Sequence, residues 1–322
     1  MDDSITTQLD SNAAIDGGDQ VYYSALTGKQ GIDLDTEGIP KRHKIETDDQ
    51  LNLDLANELD KFRMQRMEES RQRIYIPPMA KANLQARDDA LFPLMEKTLE
   101  FLTGDQQVFL VLGDSGAGKS TFNLELERTL WKDYKEEGPI PLYINLPYIH
   151  NPAQDLIEKQ LQHYDFTAEQ IQEMKYHRQF VLICDGYDEC QLTVNIYNTN
   201  RLNQEGQWRA KMIVSCRSQF LGSIYLDRFA PQLGAHDQRS LLDLFDEAVI
   251  APFSTQQVEE YVTRYVPLEP RPWLTEDYMH MLTAVPNLMD LVKNPFLLTL
   301  ALETLPALTK EKQDLSTLRI AR

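Results

Sequence analysis

Apolar residues change their spacing twice along this chain. They are sparse up to about residue 50, and from Leu51 they recur at Leu55, Leu59 and Phe62, the i, i+4, i+7 spacing of one helix face, with the charged run RMQRMEESRQR behind them. From about Val108 short unbroken apolar runs, QVFLVLG, PLYINLP, FVLICD, KMIVSC and EAVIAPF, alternate with helical stretches. Continuous runs suit strands buried on both faces, so the pattern predicts an α/β fold: five mainly parallel strands between two layers of helices. Phe122, Leu126 and Leu130 mark one of those helices; SLLDLFDE and STQQVEEYVTRYV mark others, the latter capped by Ser254 or Thr255. The segment IYIPPMAKANLQ carries two prolines and reads as an extended connector, followed by a helical pattern from about Arg87 to Leu102. Beyond Val266 the pattern is wholly helical, punctuated by Pro267, Pro270, Pro272, Pro286, Pro295 and Pro306.

These changes divide the chain into a tail over 1–50, a helix and connector over 51–86, an α/β domain over 87–266 and a helical subdomain over 267–322. The tail holds eleven Asp or Glu against four Lys or Arg and is expected to be disordered, because it offers too little apolar surface to offset the entropy of ordering. The whole chain carries a formal charge of −18 with a pI near 4.7, which argues against broad contact with nucleic acid or anionic membrane. Three cysteines, Cys184, Cys190 and Cys216, make neither an even set nor a CxxC pair, so a disulfide framework and a zinc site are not expected. With no signal-peptide pattern and no apolar stretch long enough to span a bilayer, a reduced, cytoplasmic setting is the expectation.

The chemistry concentrates in three places, each at the end of an apolar run. GDSGAGKST fits G-x-x-x-x-G-K-[ST] between an expected buried strand and an expected helix. Gly113, Asp114, Ser115, Gly116, Ala117, Gly118, Lys119, Ser120 and Thr121 are the candidate phosphate-binding residues; their backbone N–H groups and the helix start point at phosphate oxygens. Lys119 would reach the β and γ phosphates and Ser120 would offer its hydroxyl to Mg²⁺. The run FVLICD ends in DGYDE: Asp185 is placed to hold the metal, and Asp188 or Glu189 to orient or deprotonate an attacking water. KMIVSC runs directly into Arg217, which is placed to meet γ-phosphate charge. The six histidines show no metal-ligand spacing.

Taken in this order, the P-loop, FVLICDGYDE and MIVSCRSQF resemble the NACHT family of signal-transduction ATPases, the STAND branch of the P-loop NTPases, from about Val108 to about Leu302. The signature hhhhDGxDE is matched from Phe180 to Glu189. The resemblance implies a switch that holds ADP when closed, exchanges it for ATP, opens into a homo-oligomer or onto a signalling partner, and resets by slow Mg²⁺-dependent hydrolysis. It also implies Asp188 and Glu189 for water activation, Arg217 for γ-phosphate sensing, and Pro295 in KNPFLLTLAL beside the adenine. Many members carry T-[ST]-R-P where this chain carries SCRS, and they continue into a winged-helix segment and a repeat array, so a truncated product is expected. Two other readings remain open: a small-molecule or nucleotide kinase, against which stands the want of an Arg-rich lid, and a scaffold holding nucleotide as a structural ligand. A GTPase is disfavoured, since no [NT]-K-x-D motif follows the later strands.

Overall fold

The structure, a computed structural model, describes residues 41–190, 192–222, 225–232, 241–269 and 273–311. The expected tail up to residue 40 and the last expected helical residues, 312–322, lie outside the described residues. The chain divides into two units, Met1–Asp54 and Leu55–Arg322.

Helix α1, Lys41–Glu69, starts ten residues ahead of the expected Leu51, and so takes in the end of the segment read as tail. KRHKIETDDQ contains neither proline nor glycine, so nothing in its composition breaks a helix. There follow β1 (Met79–Lys81), β2 (Phe92–Pro93), α2 (Leu94–Thr103), β3 (Val108–Gly113), α3 (Lys119–Lys132), β4 (Ile140–Asn145), α4 (Leu156–His163), α5 (Ala168–His177), β5 (Gln179–Asp185), β6 (Arg209–Arg217) and β7 (Phe245–Ile250). Helices α6 (Thr255–Tyr265), α7 (Thr275–Ala284) and α8 (Pro295–Glu311) complete the main elements.

Among the described residues the sheet has seven strands in the order β2-β1-β7-β3-β6-β5-β4. Its five long strands, β7, β3, β6, β5 and β4, are parallel, as the apolar runs predict. The two extra strands add antiparallel at one edge and come from the segment read as connector and helix. Strands of three and two residues are too short to show a period, and Pro77, Pro78 and Pro93 mask them further. The helix expected from Arg87 accordingly begins only at Leu94.

Side chains alternate across the sheet as period-two geometry requires. Val108, Leu110 and Leu112 of β3 join a cluster with Phe180, Leu182, Met212 and Val214, and with α4 and α5. Phe109 and Val111 join Val181, Ile183 and Ile213 under α2 and the Phe122 and Leu126 face of α3. The third cluster belongs to α6, α7 and α8 with Ile76 and Phe253, so α6 shares its core with the helices that follow it. Ser254 is the α6 cap, its hydroxyl accepting from Gln257 N at 3.2 Å while Gln257 Oε1 accepts from Ser254 N at 3.0 Å.

Leu55, Leu59 and Phe62 of α1 are buried in the first cluster. Phe62 meets Trp131, Tyr164 and Phe166 edge-on, with ring centroids 5.6, 4.7 and 5.6 Å away. One turn on, buried Arg66 donates from Nε and from a second guanidinium nitrogen to the two oxygens of fully buried Glu127 on α3, at 2.7 and 2.6 Å. Burial opposes the Arg66 charge, but its bonds to Glu127 override that and hold it protonated. Phe62→Ala therefore should cost about 3–5 kcal/mol in urea unfolding; a loss under about 1 kcal/mol would show that α1 is not part of this core.

Candidate functional site

The parallel register brings four strand ends together. Gly113 lies opposite Arg217 in the β3–β6 ladder and Asn145 opposite Asp185 in the β4–β5 ladder. Strand β6 is inserted between β3 and β5, so it carries Ser215 and Arg217 into the space between the P-loop and Asp185. Beyond these ends opens a cleft of about 760 Å³, where an open parallel sheet binds ligands. Its lining includes Ser115 to Thr121, Asp185, Asp188, Glu189, Arg217 and Pro295.

The P-loop owes its shape to two glycines with left-handed backbone, Gly116 at φ 76° and Gly118 at φ 91°. Gly116 is also pinned from outside: a Cβ there would lie 2.7 Å from Asn294 Oδ1 and 2.8 Å from Phe296 Cβ. Asn294 Nδ2 donates to Ser115 O at 2.9 Å, and Phe296 N donates to Gly116 O at 3.3 Å. The same Asn294 caps α8, its Oδ1 accepting from Phe296 N and Leu297 N at 3.1 and 3.2 Å, with Pro295 as the first helical residue. The start of α8 is thereby docked on the loop. Lys119 Nζ donates to Gly113 O and Asp114 O at 2.8 and 3.0 Å. Burial draws its ammonium below the ordinary lysine value, against the pull of Asp188.

Asp185 is 6% exposed and surrounded by donors. Its Oδ1 accepts from Asn123 Nδ2 at 2.7 Å and from Ser215 Oγ, and its Oδ2 accepts from Tyr143 OH at 3.1 Å. Asp188 and Glu189 lie on the single 3₁₀ turn Tyr187–Cys190 that follows Gly186. Both are bound to Arg217, whose Nε meets Asp188 Oδ2 at 2.9 Å and whose second nitrogen meets Glu189 Oε1 at 2.8 Å. Arg217 N also donates to Asp188 Oδ1 at 3.0 Å. One arginine thus bridges both acids beside the P-loop.

All the residues singled out from the sequence, except Gly113 and Asp114, line this cleft, and those two begin the loop that forms it. Four others were not singled out: Asn123, Tyr143 and Ser215 around Asp185, and Asn294 against the loop. Only Asn294 had a local signal, since Asn before Pro ahead of an apolar run marks a helix start. All three cysteines are free. Cys184 and Cys190 bracket the acidic turn; burial pushes the Cys184 thiol well up and the Cys190 thiol up to about 11, which leaves little thiolate at either for redox chemistry. The described residues include no cluster of three or more metal-ligating side chains. Mg²⁺ needs none, since it takes one or two carboxylates together with phosphate oxygens and water, and Ser120 and Asp185 on one cleft fit that use. Among the described residues no helix is long and apolar enough to cross a membrane.

A family model described as the NACHT domain matches residues 107–269, about half of the chain. No curated protein matches it. Among solved structures the chain is similar to the Aeropyrum pernix ORC2 protein in ADPNP–ADP complexes, at 12% identity and a TM-score of 0.43, over 75% of this chain and 67% of that one. It is also similar to the Walker-type ATPase PABY2304 of Pyrococcus abyssi, at 13% identity and a TM-score of 0.38, over 73% and 71% of the two chains.

The two loop glycines should respond differently to substitution. Gly118→Ala meets nothing nearer than Pro295 Cγ at 4.0 Å, so it should cost only the left-handed strain, about 1–2 kcal/mol in urea unfolding. Gly116→Ala should cost more and speed amide exchange at Phe296 and Leu298; equal costs for the two would refute the docking of α8 on the loop.

Proposed function

Since the chain belongs to the NACHT domain family, we propose that it binds an adenine nucleotide with Mg²⁺ in this cleft and works as a switch of STAND type, with slow ATP hydrolysis coupled to conformational change and oligomerisation. The observation that carries this reading is the bridging of Asp188 and Glu189 by Arg217 at the mouth of the P-loop. A guanidinium bound to two carboxylates exchanges them for another doubly charged acceptor at little cost, and a γ-phosphate is such an acceptor. Arg217 in this reading reports the γ-phosphate and, in moving to it, frees an acid for water.

The remaining roles follow from position. The Ser115 to Thr121 backbone cradles phosphate oxygens at the α3 N-terminus, and Lys119 leaves its own loop carbonyls for the β and γ phosphates. Ser120 and Asp185 hold Mg²⁺, which when bound neutralises phosphate charge. Asp188 or Glu189 takes the proton of the attacking water as the γ-phosphorus gains its oxygen and releases the bridging oxygen to the diphosphate. Pro295 and Phe296 bring α8 against the loop, so a change at the phosphates reaches the helical layer directly.

The arginine bridge favours a slow switch over a kinase, because it engages the acids a fast enzyme would keep free. The protein should bind a labelled adenine nucleotide in Mg²⁺, and Lys119→Ala should weaken triphosphate binding by at least about 10²-fold. Glu189→Gln should keep binding and slow turnover, with Asp188→Asn as its parallel. Folded wild-type protein that binds no nucleotide would sink the proposal; unchanged turnover and assembly in both acid variants would leave a scaffold.

A further inference from the structure

An ionised carboxylate has about four lone-pair positions. The structure accounts for three of those on Asp185: Asn123 and Ser215 occupy both on Oδ1, and Tyr143 occupies one on Oδ2. Asp185 also lines the cleft. We propose that Tyr143 is a positioning residue which, by holding Oδ2 from behind, turns its single remaining lone pair toward the cleft and so fixes how Asp185 meets Mg²⁺ and its water. This inference rests on the nucleotide reading above.

Tyr143 is itself braced from a part of the chain outside the family match. Its ring lies 5.5 Å from the guanidinium carbon of Arg66, which α1 supplies and Glu127 holds. On the backbone, Tyr143 O accepts from Gln160 Nε2 at 2.9 Å. The phenol O–H is the donor in its bond to Asp185 Oδ2, since an ionised carboxylate only accepts. Arg66 thereby reaches the carboxylate proposed to hold the metal through two contacts, Arg66 to Tyr143 and Tyr143 to Asp185.

The test is the Mg²⁺ dependence of binding of a fluorescent ATP analogue to Tyr143→Phe, which removes one oxygen and keeps the ring. The expected result is a rise of about 10-fold in the half-saturating Mg²⁺ concentration, the scale seen when a partner of a metal ligand is removed. Affinity for the analogue in chelator should stay within about twofold, because the phosphate contacts are untouched. Arg66→Lys, which keeps a charge for Glu127 but loses the guanidinium plane, should give a smaller rise in the same direction, and it carries the test if Tyr143→Phe does not fold. A merely structural role would lower the melting temperature and leave the Mg²⁺ dependence unmoved. Normal analogue binding with an unchanged or lowered Mg²⁺ requirement overturns this inference alone; no analogue binding by the wild type overturns the nucleotide reading and this inference with it.

Discussion

A carboxylate at the end of a buried strand is costly unless hydrogen-bond donors replace the water it loses. For Asp185 these donors come from α3, β4 and β6, three elements separated from it by 62, 42 and 30 residues in sequence. Much of the fold is the means of bringing them to one point. The insertion of β6 between β3 and β5 supplies Ser215 from one side, and the β4–β5 ladder supplies Tyr143 from the other. Packing of Phe122 and Leu126 under the sheet sets the rotation of α3 that turns Asn123 toward the strand end. The buried Arg66–Glu127 pair is a second instance of the same constraint: each charge would be costly alone, so α1 and α3 keep one mutual position.

What could be read from the sequence follows from how local each feature is. The P-loop, the acids after FVLICD and Arg217 stand out because each is a short chemical pattern at the end of an apolar run. Five continuous runs disclosed the parallel core for the same reason: burial on both faces removes the polar alternation. Tyr143, Asn123 and Ser215 were hidden because as residue types they fit their strand or helix without further purpose. Only the strand order, which no single run encodes, makes them neighbours of Asp185. β1 and β2 escaped because edge strands of three and two residues show no period, and prolines there argue for a connector.

The charges in the cleft satisfy one another in a way that bears on switching. Lys119 is bound to two carbonyls of its own loop, and Arg217 to Asp188 and Glu189. A ligand therefore gains only the difference between its contacts with these groups and the contacts they already have, which moderates affinity but creates two alternative bonding sets. On the proposed reading a triphosphate reaches further toward Arg217 than a diphosphate, and only the former supplies enough differential binding to draw the arginine from both acids. The start of α8 is bonded to the same loop through Asn294 and Phe296. On the proposed reading Lys119 releases the carbonyls of Gly113 and Asp114, and any shift that spreads to the next two, those of Ser115 and Gly116, acts on the bonds that hold α8.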